Sequence, residues 1–512
     1  MNINRFFAHH KISDNPFAAE EAGLDPVFNK LISKPPIHPD FHKILGPLDT
    51  PSTSIVFGEK GSGKTAIRLQ IEEQIQEHNA AQTSGRVLAV TYDDLNPLLD
   101  NLLRRRRQNA KAVLENFRLE DHQDAILSLA VTQLVNNLTH DKSVPTNPDQ
   151  KKKRNLRKRL SRQQRADLAV LAALYDQPVT GSSLVRWTKL AGSLRVTRLI
   201  RSSAMLVLAI VMTLVALGFW GTFQFMEEPP IWVLPALGIS LAGAISLWGW
   251  LVFTQFTSWN LSRKVRREMP AINHTGSELR QMLLSLSPSD LQHQPFPLPS
   301  PDDGNLSDAR YQLTRRLINI IRQLDYAGMM VLLDRLDEPT LVSGDADKMQ
   351  AILRPMLDNK FLKQDHVGIK LLLPLELHYA IRRESAEFFQ RARLDKQSMI
   401  ERLNWSGSTL YDLCNTRLKL CMTSDSADAE SKETSLIDLF AEDVSREMII
   451  DALDQMHQPR DAFKFIYAVI QEHCRLVSDE DQNFRIAKLT LDTIRRAQAQ
   501  RVQEFSRGLA PG

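Results

Sequence analysis

Two apolar stretches constrain this chain more than anything else in it. Ala204 to Met226 reads AMLVLAIVMTLVALGFWGTFQFM, and Ile231 to Phe256 reads IWVLPALGISLAGAISLWGWLVFTQF, with no ionisable residue in either. At about 1.5 Å per helical residue, about 20 residues cross a hydrocarbon core of about 30 Å. The whole-chain averages, 43% hydrophobic and 24% charged over 512 residues, are those of an ordinary globular protein and conceal this anomaly. A wholly disordered, collagen-like or low-complexity chain is excluded, and an ordinary soluble globule does not fit; the alternative to a membrane pair is a buried helical hairpin in a large core.

Only Glu227, Glu228, Pro229 and Pro230 separate the runs, so the expectation is an antiparallel hairpin over 201–257, with spans at 204–226 and 231–254. Pro235 is tolerable in a first helical turn. Trp220, Trp232, Trp248, Trp250 and Trp259 fall mostly toward the ends, where indoles favour the interface. Gly238, Gly243 and Ala244 suit close helix contact. Arg195, Arg198 and Arg201 precede the first span, and Arg263, Lys264, Arg266 and Arg267 follow the second. By the positive-inside rule both soluble portions are cytoplasmic and the 227–230 turn is outside, giving a multi-pass inner-membrane protein.

A second feature sets the chemistry. Gly58-Glu59-Lys60-Gly61-Ser62-Gly63-Lys64-Thr65 matches G-x-x-x-x-G-K-[ST], with the apolar Thr53–Phe57 before it and the helical pattern Ala66–Asn79 after. Such glycines let backbone N–H groups surround a phosphate at a helix N-terminus. Lys64 is expected on the β/γ-phosphates of ATP, and Thr65 on Mg2+. The partner element is MMVLLDRLDE, Met329–Glu338, an apolar strand ending in Asp334, whose carboxylate can hold Mg2+ through water. Asp337 or Glu338 would orient or deprotonate the attacking water. A plain hhhhDE ending would carry its second acid at position 335, where this chain has Arg335. Arg460, in QPRDAFKFIYAVI, would meet the γ-phosphate in cis from a helical lid; Arg417, in LYDLCNTRL, in cis or across a subunit boundary. Glu376, after the strand pattern Ile369–Leu373, stands in for a first sensor.

The two nucleotide elements flank the apolar pair, which implies an excursion to the membrane between two strands of one sheet. The expected order is a leader over 1–45, a first nucleotide-domain segment over 46–140, a basic connector and small helical subdomain over 141–200, and the hairpin. A return connector over 258–305, a second nucleotide-domain segment over 306–405, and a helical lid and tail over 406–512 follow. Val87–Tyr92 is a second strand candidate, Leu95–Asn136 is helical in pattern, and Leu306–Leu324 is an amphipathic helix. The run 151–165, KKKRNLRKRLSRQQR, holds nine basic residues and no acid. It suits a solvated linker, or anionic inner-leaflet lipid, with nucleic acid the least favoured partner. Arg104–Arg107 invites the same comparison, and nucleotide phosphates or a subunit interface as well. Cys414, Cys421, Cys474, His9 and His10 lack metal-ligand spacing, so a magnesium ion arriving with ATP is the only metal expected.

GEKGSGKTA at 58–66, paired membrane helices between the nucleotide motifs, and LLDRLDE at 332–338 together resemble the KAP family of P-loop NTPases, in the AAA+/STAND group. On the family's second motif Asp334 takes the magnesium aspartate and Asp337 the later aspartate, while Arg335 and Glu338 depart from it. QPRD at 458–461 is similar to the sensor-arginine segment of related lids. The resemblance covers about 45–475. It implies an α/β P-loop NTPase fold, a three-layer parallel sheet with an inserted transmembrane hairpin and a C-terminal helical lid. It also implies a bacterial, membrane-anchored Mg2+-dependent ATPase acting as a conformational switch in signalling or phage defence, as a homo-oligomer or with an unidentified protein partner. The alternatives are a nucleotide-binding signalling scaffold with little hydrolysis, or a subunit of an oligomeric transport or pore complex.

Overall fold

The computed structural model describes residues 1–18, 21–34, 38–139, 156–196, 199–226, 230–273, 275–286, 306–422, 434–478, 481 and 483–506. The connector tract 140–155 and most of the proline-rich 285–304 loop lie outside the described residues. The chain divides into two compact units. One is built from Met1–Asp94 with Met329–Gly512, and the other from Leu95–Gly328.

The first unit holds a five-stranded parallel sheet: β1 (Ser54–Gly58), β2 (Arg86–Tyr92), β3 (Tyr326–Leu333), β4 (Val367–Pro374) and β5 (Ser398–Ile400), in the order β2-β3-β4-β1-β5. Ser54 to Gly58 pair with Lys370 to Pro374, and Met329 to Leu333 with Val367 to Leu371. Every residue of β1 and β4 is buried. Strands covered on both faces need continuous apolar sequence rather than alternation, which is why SIVFG and VGIKLLLP read as they do. Val56, Met330, Leu332 and Leu372 pack with Phe41, Ile44, Ile67 and Ile71 on one face. The register brings β1, β3 and β4 to a common C-terminal edge, where Gly58, Asp334 and Pro374 sit. β5, three residues long, was not among the expected strands; a run that short carries no periodicity.

A second core of this unit joins the chain ends. Phe6, Phe7, Ile12 and Phe17 pack with Leu410, Cys414, Phe465, Ile466 and Ile470. Residues 1–45, read from sequence as a leader, thus contribute to the helical core of the C-terminal segment. Cys414, Cys421 and Cys474 are free and buried.

The Leu95–Gly328 unit is helical. Its interior contains an ion pair, Arg310 Nη2 to Asp124 Oδ2 at 3.1 Å, with the Tyr175 hydroxyl donating to Asp124 at 2.9 Å. Arg310 also donates to the carbonyl of Glu268 at 3.0 Å. Helices over 95–139 and 306–323, expected in the nucleotide domain, belong to this unit. In the basic run Arg106 grips Asp121 at 2.7 and 2.8 Å, and Arg105 reaches the carbonyl of Ile272 at 3.5 Å. Two helices of the unit, Leu199–Phe225 and Val233–Glu268, contain segments long and apolar enough to cross a membrane. They touch: the Trp248 indole donates to the Thr213 hydroxyl at 3.1 Å, and Phe219 meets Trp232 edge-on. Gly243 admits the Met212 methyl, since a Cβ there would lie 2.7 Å from it, and Ala244 is buried. Gly238, expected at such a contact, faces open space. Val207, Leu214, Ile239 and Phe253 are exposed. The second helix runs twelve residues past Phe256, and there Arg263 lies over the Trp259 ring at 3.9 Å.

Candidate nucleotide site

The loop after β1 turns through Gly61 (φ 98°) and Gly63 (φ 92°), left-handed conformations that glycine adopts without penalty. Gly58 is required for space, because a Cβ would approach the Ser62 hydroxyl to 2.4 Å. That hydroxyl donates to the Glu59 carbonyl at 2.8 Å and closes the turn. The Lys64–Ala81 helix starts directly from Gly63, so its first N–H groups face the loop. Lys64 Nζ donates to the carbonyls of Gly58 at 2.8 Å and Glu59 at 2.9 Å. Burial pulls the Lys64 ammonium below its ordinary range, opposed by the charges of Asp337, Asp334 and Glu376 and aided by Arg460.

Thr65 and Asp334, 269 residues apart, meet at this edge: Thr65 Oγ1 donates to Asp334 Oδ2 at 2.8 Å. Asp334 is 1% exposed. Among the described residues, no group of three or more His, Cys, Asp or Glu side chains could hold a metal. A hydroxyl beside one carboxylate is instead the sparse, hard-oxygen donor set that suits Mg2+, an ion that keeps waters and phosphate oxygens as its remaining ligands.

Arg68, one turn beyond Thr65, was not singled out from sequence. Its Nε lies 3.4 Å from Asp334 Oδ2, its Nη1 2.8 Å from Glu72, and its Nη2 3.2 Å from Asp93. The available signal was an arginine on the inward face of the phosphate-loop helix, which needs acids to be buried.

A cleft of about 560 Å³ contains Lys60, Gly61, Lys64, Thr65, Asp334 and Asp337, with Glu376 and Arg460. Phe28, Leu31, Trp405, Leu413 and Phe463 form its apolar side. Asp337 is half-buried and Glu338 exposed. Arg335, in a left-handed conformation (φ 59°), pairs with Glu21 and lies 3.5 Å from Glu338. Burial raises the Glu338 carboxyl above its usual range, with Asp337, Glu21 and Asp334 adding to it and Arg335 opposing. Glu376 opens the Leu375–Arg382 helix immediately after β4.

Arg460 lies in the first turn of the Pro459–Leu476 helix, against the loop: a Cβ on Gly61 would meet Arg460 Cβ at 3.0 Å. Its Nε is buried without a hydrogen-bond partner among the described residues. Arg417 is at the cleft wall but otherwise engaged. It is 2% exposed, donates to the Pro16 carbonyl at 2.8 Å, pairs with Asp25 at 2.6 Å and stacks on Phe463 at 4.5 Å. Glu59, within the 58–65 loop, accepts from Arg402 and Gln458. The Trp405 indole donates to the Ser62 carbonyl at 2.8 Å. These clasps come from segments far along the chain, beyond the reach of any spacing rule.

No protein-family model, no curated protein and no solved structure matches this chain.

Proposed function

We propose that this chain is a membrane-anchored P-loop NTPase that binds Mg2+–ATP in the 58–65 loop and hydrolyses it to switch conformation. The observation that carries the reading is the 2.8 Å bond between Thr65 and Asp334, formed beside Lys64 by motifs 269 residues apart. The resemblance to the KAP family belongs to the same proposal, as does the hairpin of the two apolar helices, with the 227–230 turn on the far side of a bacterial inner membrane.

In this mechanism Lys64 leaves the carbonyls of Gly58 and Glu59 for the β/γ-phosphates. Thr65 and Asp334 would hold the magnesium ion, which would supply neutralisation of phosphate charge. Asp337 or Glu338 aligns the attacking water and accepts its proton. Arg460, whose Nε has no hydrogen-bond partner among the described residues, steadies charge on the γ-phosphate. Catalysis is then positioning plus electrostatic stabilisation. Arg417 serves this reading as a buried anchor through Asp25. Contact with anionic lipid is supported by the basic residues that flank each apolar run; a partner protein or self-assembly is part of the proposal for coupling the switch.

A second reading, a nucleotide-binding scaffold with little turnover, draws on Arg335, which engages the Glu338 carboxylate in the acidic motif. The test is binding and turnover of ATP by the wild type and by Asp337→Ala. A variant that binds ATP but stops hydrolysis supports the enzyme. A negligible rate in both, with binding intact, supports the scaffold. Loss of Mg2+-dependent binding in Asp334→Asn is expected under either, and its retention contradicts both.

A further inference from the structure

We propose that Arg68 is a built-in counter-cation that makes metal binding at Thr65 and Asp334 conditional on the nucleotide's own phosphates; the inference rests on the nucleotide reading given above. Helical spacing of three residues sets Arg68 on the same face as Thr65. Its side chain is 7% exposed and lies among three carboxylates from three elements. Glu72 of its own helix and Asp93 after β2 hold the two ends of the guanidinium, at 2.8 and 3.2 Å. The Thr91 hydroxyl steadies Glu72 at 2.8 Å. The third carboxylate is Asp334, the one the metal needs.

The contact with Asp334 differs in kind from the other two. Arg68 Nε is 3.4 Å from Oδ2, the same oxygen that accepts the Thr65 hydroxyl, yet it makes no hydrogen bond among the described residues. Arg68 therefore acts on Asp334 through charge at close range, which is little screened in a buried site. A divalent cation arriving alone meets one carboxylate already facing a fixed positive charge, plus a neutral hydroxyl. A cation arriving on a triphosphate brings several anionic oxygens and overcomes that charge. Arg68 touches neither metal nor phosphate in this account; it is a positioning residue.

The test measures Mn2+ retention by the full-length protein in lipid nanodiscs, from the resonance of free Mn2+, with and without a non-hydrolysable ATP analogue. Wild type is expected to retain Mn2+ only with the analogue. Arg68→Met is expected to gain nucleotide-free Mn2+ affinity at least tenfold, Arg68→Lys much less, and adding Asp334→Asn to Arg68→Met should abolish the gain. Equal nucleotide-free affinity in wild type and Arg68→Met, while the wild type binds Mn2+ with the analogue, overturns the role of Arg68 alone. A wild type that does not bind the analogue overturns the nucleotide reading instead. Should Arg68→Met not fold, Glu72→Gln supplies the readout: the guanidinium loses one anchor, closes on Asp334, and Mn2+ affinity with the analogue falls at least threefold. An unchanged affinity in that variant overturns the proposal.

Discussion

Trp405 donates its indole N–H to the carbonyl of Ser62 at 2.8 Å, tying the end of the sheet region to the middle of the 58–65 loop. Gln458 and Arg402 hold Glu59 of the same loop. Trp405→Phe keeps the ring and removes the donor, leaving a part-buried carbonyl unmet at a cost of about 1 kcal/mol. The expected result is a modest loss of stability in denaturant and a several-fold weaker affinity for ATP. Unchanged affinity would show that this clasp does not shape the loop.

Arg417 and Arg460 separate a packing arginine from one that the proposed function sets on the nucleotide. Arg417→Ala strips a buried partner from Asp25 and is expected to cost about 3–5 kcal/mol. Arg460→Ala is expected to leave the thermal midpoint almost unmoved and to lower ATP turnover at least tenfold. If Arg460→Ala destabilises the protein as much as Arg417→Ala, the distinction fails.

Lys370 gives a pH signature. It is fully buried in β4, donates to the Ser52 carbonyl at 2.8 Å, and burial lowers its pKa to about 7. The unfolded chain binds this proton more tightly than the fold does. The lysine's burial penalty is therefore full below about pH 7 and is relieved as pH rises toward the ordinary lysine value. Lys370→Met is expected to flatten the rise in thermal midpoint between pH 7 and 9. An identical slope in both proteins would contradict the burial account.

The Arg310–Asp124 pair lies buried in the helical unit. Arg310→Met leaves Asp124 buried with only the Tyr175 hydroxyl, and is expected to cost about 3–5 kcal/mol. Hydrogen exchange along Leu119–Thr139 should accelerate. Protection equal to wild type would mean that packing alone holds that helix.

Much of the sheet was legible before any coordinates. Thr53–Phe57 and Val87–Tyr92 match strands to within one residue, and Met329–Leu333 and Ile369–Leu373 lie inside longer strands that begin at Tyr326 and Val367, because parallel strands buried on both faces must be continuously apolar. The strand order was not legible, since it depends on which apolar runs become neighbours across long crossovers. Nor was the placement of residues 95–139 and 306–323 in the helical unit: amphipathic helices advertise that they pack, not on what. Phe6 and Phe7 looked like parts of a leader because their partners, Phe465 and Ile470, lie at the far end of the chain. In the site, Gly58 to Thr65 and Asp334 were readable from spacing. Arg68 was not, because its role arises from three acids brought together only by folding.

The central claim is that Lys64, Thr65 and Asp334 act together on a magnesium-bound triphosphate. ATP hydrolysis by membrane-reconstituted wild type and Lys64→Ala tests it most directly. The account predicts Mg2+-dependent phosphate release that falls at least a hundredfold in Lys64→Ala, with the variant still folded by hydrogen exchange. Measurable phosphate release that proceeds at the same rate in both proteins would contradict it.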